Sequence, residues 1–599
     1  MSTAEGESLI EQLADVPSRL RATILTTAGG NPLFVEQLLA HASEGGDPET
    51  APPSLAALLA SRLDRLDTDE LSLLQRAAVV GREFDRRAVE HLRPEGLERI
   101  DDDLVALVHK GFLVKRDHDV VGFHHVLIRD AAYSTLPKGQ RAELHERFAR
   151  WLATHPPVAD EVVGFHLEQA HGYLIEIGSA GGRALELARE AGERLGAAGL
   201  RAWRRADTTA TIDLLGRAAA LLVPSAPARL ELLCELGLAL RTAGEIEQAN
   251  TILEEAAELA AAAGEQRIEL RARIELANVR LSTEPEGGAG ALLDLVDGAI
   301  PVFEGFGDDR SLGRAWLLSG YVHGGLHCRN DDWLHAAERA LVHYRRSLWP
   351  AASCAGEMAT ALYYGPMPAT EAIARCEALS AELTDRTAEA HVLVWLAGLH
   401  AFDGRLEPGR RMAEQAQAVY EEFGYRMALA CGCCAVLAEI ELLAGRSDSA
   451  EAVLRCSCDR LEAMQERACL ASRAAELADV IYQRGRYEEA ERWNAVAKQH
   501  AATDDIGAQF LIRAIGAKIL ARRGSFGEAE RAGREAVRLA EQTDALNNRG
   551  KVHLDLAEIL RLDGRQEEAE ASVALAVEQF ERKGNRVAAE RARASVGRG

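Results

Sequence analysis

The sequence predicts an all-α protein: a long superhelical α-solenoid of paired helices, preceded by a small domain of helices with a short β-hairpin. Three observations predict it. Gly404, Gly445, Gly485, Gly524 and Gly564 sit in similar Gly-polar-small contexts and are spaced by 41, 40, 39 and 40 residues, the regularity of a repeat architecture. Aromatic residues make up only 5% of the chain against 47% hydrophobic residues, which suits Ala/Leu-rich helices and is poor for a sandwich or propeller. At 599 residues the chain exceeds what one hydrophobic core can serve, so several domains or an array are required.

The repeat reads as helix–turn–helix. In Gly244-Glu-Ile-Glu-Gln-Ala249, and again at Gly445/Ala450, Gly485/Ala490, Gly524/Ala529 and Gly564/Ala569, a glycine is followed five residues later by an alanine. The glycine supplies the left-handed backbone that ends one helix, and the alanine lets the next approach closely. From Gly244 to Gly404 is 160 residues, room for four more units, with weaker turns near Gly287, Gly324 and Gly365. Around Gly485 the pattern is fullest, with Leu477, Ala478, Ile481, Tyr487, Trp493 and Ala497. It resembles the tetratricopeptide repeat with lengthened helices. The array is expected over 226–599, its helix pairs stacking into a superhelix with a long concave surface. That wall is expected to take a protein, a peptide or a small effector through Asp479, Tyr482 and Gln483, with Glu439, Lys518 and Glu558 at equivalent places. The plainer reading makes these six residues solvated helix faces.

Ahead of the array, Gly30-Asn31-Pro32 starts a helix with proline in its first turn. A polar, Gly/Pro-rich linker follows over 44–53. Ser54–Leu63 and Glu70–Ala78 read as amphipathic helices, Val79–Phe84 as a short turn and Asp101–Lys110 as another helix. Two brief extended runs flank the turn Arg116–Asp119. Helices plus a small hairpin in so short a stretch predict a winged-helix unit. The expected division is 1–50, 51–155 for the winged helix, 156–225 as a helical connector, and the array.

Three motifs carry a further resemblance: Gly30-Asn-Pro-Leu-Phe-Val-Glu-Gln-Leu38, Ala77-Ala-Val-Val-Gly-Arg-Glu-Phe84, and Phe123-His-His-Val-Leu-Ile-Arg-Asp-Ala-Ala-Tyr133. Together they resemble the region that follows the nucleotide-binding domain in bacterial signal-transduction ATPases with numerous domains, the branch found beside adenylate/guanylate cyclases and in large ATP-dependent transcriptional activators. The resemblance covers the helical lid, the winged helix and the repeat array. It implies that Pro32 packs against adenine and that His125 faces a bound diphosphate, where an imidazole donates to a phosphate oxygen. Without it, Pro32 starts a helix and His125 is a partly buried side chain.

The catalytic half of that family is missing from the sequence. A phosphate-cradling loop needs Gly-Lys followed by Ser or Thr. Of the seven lysines only Lys551 follows a glycine, with Val552 where the hydroxyl belongs and Ala545 where the first glycine belongs. No catalytic residues and no cofactor are therefore expected, and the chain reads as a regulatory partner, alternatively as the part of a cyclase or ATPase system that needs a separate P-loop subunit. Cys431, Cys433, Cys434, Cys456, Cys458 and Cys469 cluster, but Cys456 and Cys458 diverge by about 200° on a helix, and cysteine substitutes well for alanine in tight packing. His323, His327, Cys328, His335 and His343 form a second set, its i,i+4 pair interrupted by Gly324-Gly325. No metal is expected at either.

The net charge of −24 disfavours nucleic acid, and residues 51–155 carry 16 basic and 17 acidic side chains, so the winged helix has no basic face. No apolar run spans a membrane, the acidic N-terminus is unlike a signal peptide, and ten cysteines inside helical patterns suit a reducing cytoplasm.

Overall fold

A computed structural model describes residues 1–14, 16–44, 54–93, 100–117, 119–155, 159–350 and 352–596. The linker expected at 44–53 lies, Glu44 apart, outside the described residues. Two compact units are present, 1–198 with 220–222, and 199–219 with 223–599. No helix among the described residues is long and apolar enough to cross a membrane.

The first unit begins with helices Thr3–Leu13, Ser18–Ala28 and Pro32–Ser43 around Ile10, Ile24, Val35 and Leu38. Asn31 caps the third through the Phe34 N–H. Helices Leu55–Leu63, Thr68–Val80, Arg86–Leu92, Ile100–His109 and Val126–Ser134 then surround a small antiparallel sheet. Its strands are β1 (Glu83–Asp85), β2 (Leu113–Lys115) and β3 (Val120–Phe123), in the order β1-β3-β2. Phe84 pairs with Val121, and Val114 with Gly122. The β2–β3 hairpin follows the sequence expectation. The segment Val79–Phe84 does so only at Gly81-Arg82: the helix runs on to Val80, and Glu83 and Phe84 enter β1. Three residues are too few to show a period of two, and β1 is fixed instead by its ladder to β3 and by Phe84 packing edge-on against Phe123 at 6.0 Å. Arg62, fully buried, donates to Gln37, Glu44 and the Lys110 carbonyl and lies 4.4 Å from the Phe112 ring, tying these elements together.

Helices Lys138–Ala153 and Asp160–Glu176 pack through a chain of buried polar rings. The Tyr133 hydroxyl meets His145 Nε2 at 2.8 Å, and His145 Nδ1 meets His166 Nδ1 at 2.8 Å. One of the two facing nitrogens must be bare. Burial pushes His145 down to about 3 and His166 to about 4, so both rings are neutral across the physiological range.

The second unit is the solenoid, an all-α, tetratricopeptide-like array. Pairs such as Arg467–Gln483 with Tyr487–His500, Ile506–Arg522 with Phe526–Glu541, and Leu546–Leu562 with Gln566–Lys583 repeat along it. Gly404, Gly445, Gly485, Gly524 and Gly564 all have φ between 78° and 92°, the left-handed backbone their spacing requires. Ala249, Ala450, Ala490, Ala529 and Ala569 are all 0% exposed, so each close approach is occupied. Two turns of π-helix lie on first helices of the pairs: Val322–Leu326 ends the helix that starts at Asp309, and Leu429–Cys433 interrupts the one between Arg426 and Leu443.

The superhelix closes on itself along a seam. Glu247 accepts from Gln465 Nε2 at 2.9 Å, Glu286 from the Thr503 N–H at 2.9 Å, and Asp544 from the Asn330 N–H at 2.9 Å. These contacts are 214–218 residues apart, so between five and six 40-residue units complete one turn. Helix ends make much of the seam. The Asp544 carboxylate takes the backbone N–H groups of Asn330 and Asp331 at the start of helix Asn330–Arg346. The Lys583 ammonium donates to the Leu362, Gly365 and Met367 carbonyls at 2.8, 2.6 and 3.0 Å, at the end of helix Ala352–Tyr364. Arg591 donates to the Leu442 and Leu443 carbonyls at the end of helix Cys434–Leu443. Anion at an N-terminus and cations at C-termini are the signs the helix dipole favours. Gly244 serves turn and seam at once: its φ is 80° and a Cβ there would lie 2.2 Å from Met464 Sδ.

Candidate functional site

The first helices of the pairs face inward, and the seam joins their successive turns. Their inner faces line a cavity of about 1200 Å³, above the usual range for small-molecule sites. One part of the wall is aromatic. Tyr363 stands 4.8 Å from Tyr364, 5.3 Å from Trp395 and 5.0 Å from Phe402, ring centre to ring centre, and Tyr321 packs edge-on against Trp333. Glycines allow this crowding. A Cβ on Gly398 would meet the Tyr363 ring at 2.4 Å, and one on Gly324 the Trp333 ring at 2.0 Å.

The other part is ionic. Lys518, 2% exposed, holds Asp479 at 2.5 Å and Asp555 at 2.6 Å. Lys551 reaches Glu439 at 2.7 Å although 112 residues separate them. The Tyr482 hydroxyl donates to Glu558 at 2.8 Å, Arg522 joins both, and Gln483 donates to Asp479 at 2.8 Å. Burial alone would pull the Lys518 ammonium down, but Asp479 and Asp555 hold it above its ordinary value, while burial pushes Asp555 up to about 6. Arg473 is nine-tenths buried in the same wall, and its Nε and Nη1 have no hydrogen-bond partner.

Glu439, Asp479, Gln483, Lys518 and Glu558 thus line the cavity, and Tyr482 bonds to the last of them. The spacing indicated the wall but not the pairing: every one of the six bonds to another side chain of the wall. What the spacing did not indicate is the aromatic half and Arg473. Arg473, on helix Arg467–Gln483, and Trp395 and Phe402, on helix Arg386–Phe402, share the 40-residue register of the helices that precede Gly485 and Gly404; Tyr321, Trp333, Tyr363 and Tyr364 lie in earlier units, where no strong turn motif announces them.

Pro32 is the exposed first residue of its helix. His125 is half-buried and caps helix Val126–Ser134, its Nδ1 accepting the Leu127 N–H at 3.2 Å. Of the cysteines, Cys433, Cys434 and Cys458 are buried in packing and Cys456 is exposed. Cys431 and Cys469 come together on the cavity wall with Glu466 behind them. In the histidine set, the His323 and His327 rings are 6.2 Å apart and His343 is engaged by Asp309.

Burial pushes Glu357 and Asp505, both on the cavity wall, up to about 7. A carboxyl raised in the folded state binds its proton there before the unfolded chain does, so its contribution to stability grows as pH falls from 7 towards 4. The Glu357→Gln variant removes one such group. In urea titrations it is expected to lose part of the gain between pH 7 and 5, up to about 1.4 kcal/mol per pH unit. Identical pH profiles for variant and wild type would contradict the assignment.

No family model matches the sequence, and no curated protein matches it. Solved structures do. A signal-transduction ATPase with numerous domains carrying a tetratricopeptide repeat sensor, PH0952 from Pyrococcus horikoshii, matches over 97% of this chain and 72% of its own, at 14% identity and a TM-score of 0.37. The APC/C Cut9–Hcn1 hetero-tetramer matches over 77% and 97%, at 11% identity and a TM-score of 0.44. The apo form of the quorum sensor NprR from B. thuringiensis matches over 59% and 98%, at 16% identity and a TM-score of 0.36.

Proposed function

We propose that this chain is a non-catalytic, cytoplasmic regulatory protein that takes an effector into the cavity of its repeat array. The observation that carries this reading is the seam. An open solenoid offers its concave face to a folded partner, whereas a closed turn leaves that face to a small molecule or an extended peptide. The aromatic half supplies apolar area and stacking for such a ligand, and the ionic half supplies polar contacts that fix its orientation. Unit 1, read as a helical lid and winged helix, would pass the bound state to a separate P-loop ATPase or cyclase subunit. His125, at a helix N-terminus where anions are favoured, is the residue we place against that subunit's nucleotide. The near-neutral charge of residues 51–155 supports a protein partner there rather than DNA.

The test fills the cavity. An aromatic anion, 1-anilinonaphthalene-8-sulfonate, is expected to bind at one site per chain. Ser472 lines the cavity, and Ser472→Trp, with unchanged helical content, is expected to weaken binding at least tenfold. Equal binding by a folded Ser472→Trp variant would contradict the reading.

A further inference from the structure

Cys431 lies in the π-helical turn Leu429–Cys433, and Cys469 lies in the first turn of helix Arg467–Gln483. Both line the cavity. Glu466, 2% exposed, caps that second helix, its Oε2 accepting the Cys469 N–H at 2.7 Å. The two sulfurs and a carboxylate oxygen of Glu466 all lie within 4.8 Å of one another. We propose that Cys431, Cys469 and Glu466 form a binding site for a thiophilic divalent cation of the zinc class, with its fourth position open to the cavity.

The geometry needs little adjustment. Tetrahedral bonds of about 2.3 Å to sulfur place two thiolates about 3.8 Å apart, so closing on an ion moves these atoms by no more than about 1 Å. The backbone bond to Glu466 does not preclude ligation, because a carboxylate offers about four lone-pair sites. It fixes the group in place, as an outer-shell bond does for a metal ligand. The π-turn gives Cys431 its place on the wall, and such turns occur often at functional sites.

The surroundings also call for an anionic centre. Arg473 interacts electrostatically with both cysteines, and Arg241 with Glu466. Donors on both guanidiniums, Nε and Nη1 of Arg473 and Nε of Arg241, are buried without a hydrogen-bond partner. Two neutral thiols do little for them. On metal binding the thiols release two protons, and two thiolates, one carboxylate and a dication together carry one negative charge. Arg473 is also paired with Glu476 at 3.0 Å, so the two flanking guanidiniums leave about one positive charge for this negative charge to meet, and that positive charge would repel a bare cation. The site stands whether or not the cavity takes an effector.

Cobalt(II) titrated into the reduced full-length protein tests it. The expected result is one ion per chain, with near-ultraviolet thiolate-to-metal charge transfer and the visible bands of a tetrahedral site. Cys431→Ser and Cys469→Ser are each expected to abolish that signature, and the exposed Cys456→Ser to leave it intact. Glu466→Gln keeps an oxygen for the helix cap and both sulfurs, so charge transfer persists while affinity falls at least tenfold. Absence of the band in reduced wild type, or its survival in Cys431→Ser, would overturn the proposal. Because Glu466→Gln retains the cap, unchanged affinity in that variant would also count against it, with no question of misfolding.

Discussion

Replacing Lys583 by methionine is expected to destabilise the repeat array by about 3–5 kcal/mol. The side chain is 0% exposed, and its three donors meet three main-chain carbonyls, those of Leu362, Gly365 and Met367. Burial pulls its pKa down to about 7, but three acceptors for three donors hold the charged form, and they sit at a helix C-terminus where positive charge is favoured. Methionine conserves the stem and removes every donor. Each orphaned buried acceptor costs about 1–3 kcal/mol, and partial access of water to the loosened seam reduces the sum. Urea unfolding gives the magnitude, and hydrogen exchange gives the location, with faster exchange expected at the end of helix Ala352–Tyr364 and in helix Arg586–Val596. A loss below about 1 kcal/mol would mean that this latch does not hold the seam.

The second large effect is expected at Lys518. Its ammonium is nearly inaccessible and stands between Asp479 and Asp555. Lys518→Met leaves two carboxylates facing each other in an enclosed space, and removing one partner of a buried ion group costs about 3–5 kcal/mol. Two features separate this loss from a simple packing defect. Adding Asp555→Asn removes one of the stranded charges and is expected to restore about half of the stability. The loss also shrinks as pH falls, because the freed carboxyls take up protons in the folded state before the unfolded chain does. A loss that is the same at pH 5 and pH 8, and unmoved by Asp555→Asn, would contradict the ionic account.

Much of the array was legible in the sequence because it depends on local backbone chemistry. A left-handed turn favours glycine and a tight helix crossing favours a small side chain, so Gly485 and Ala490 mark their own conformations. The 40-residue spacing likewise placed Asp479 and Lys518 at matching points of adjacent inner helices. The seam was not legible. Lys583 recognises carbonyl groups, which every residue has, and Asp544 recognises two backbone N–H groups, so no side-chain pattern records either contact. The number of units per superhelical turn follows from small rotations summed over several pairs, and no single residue encodes it.

Strand β1 was missed for another reason: three residues show no alternation, and Phe84 looks the same in a turn as in a strand. Cys431 and Cys469 were counted within a cysteine cluster, but a uniform helix puts Cys431 in a different register from the one it has. The π-turn at Leu429–Cys433 adds a residue to the turn, and nothing in Leu-Ala-Cys-Gly-Cys announces it. The candidate site was therefore half legible, in its charged first-helix positions, and half dependent on how far the superhelix closes.

That closure is most directly measured as a distance. Glu247 and Gln465 are exposed and hydrogen-bonded across the seam, 218 residues apart in sequence. Spin labels attached there through a non-natural amino acid, leaving the ten cysteines untouched, report the separation by pulsed electron resonance. A closed superhelix gives a single, narrow, near-contact distance, and Lys583→Met broadens it. A long, broad distribution in the unmodified array would show an open spiral and would remove the cavity on which the proposed function depends.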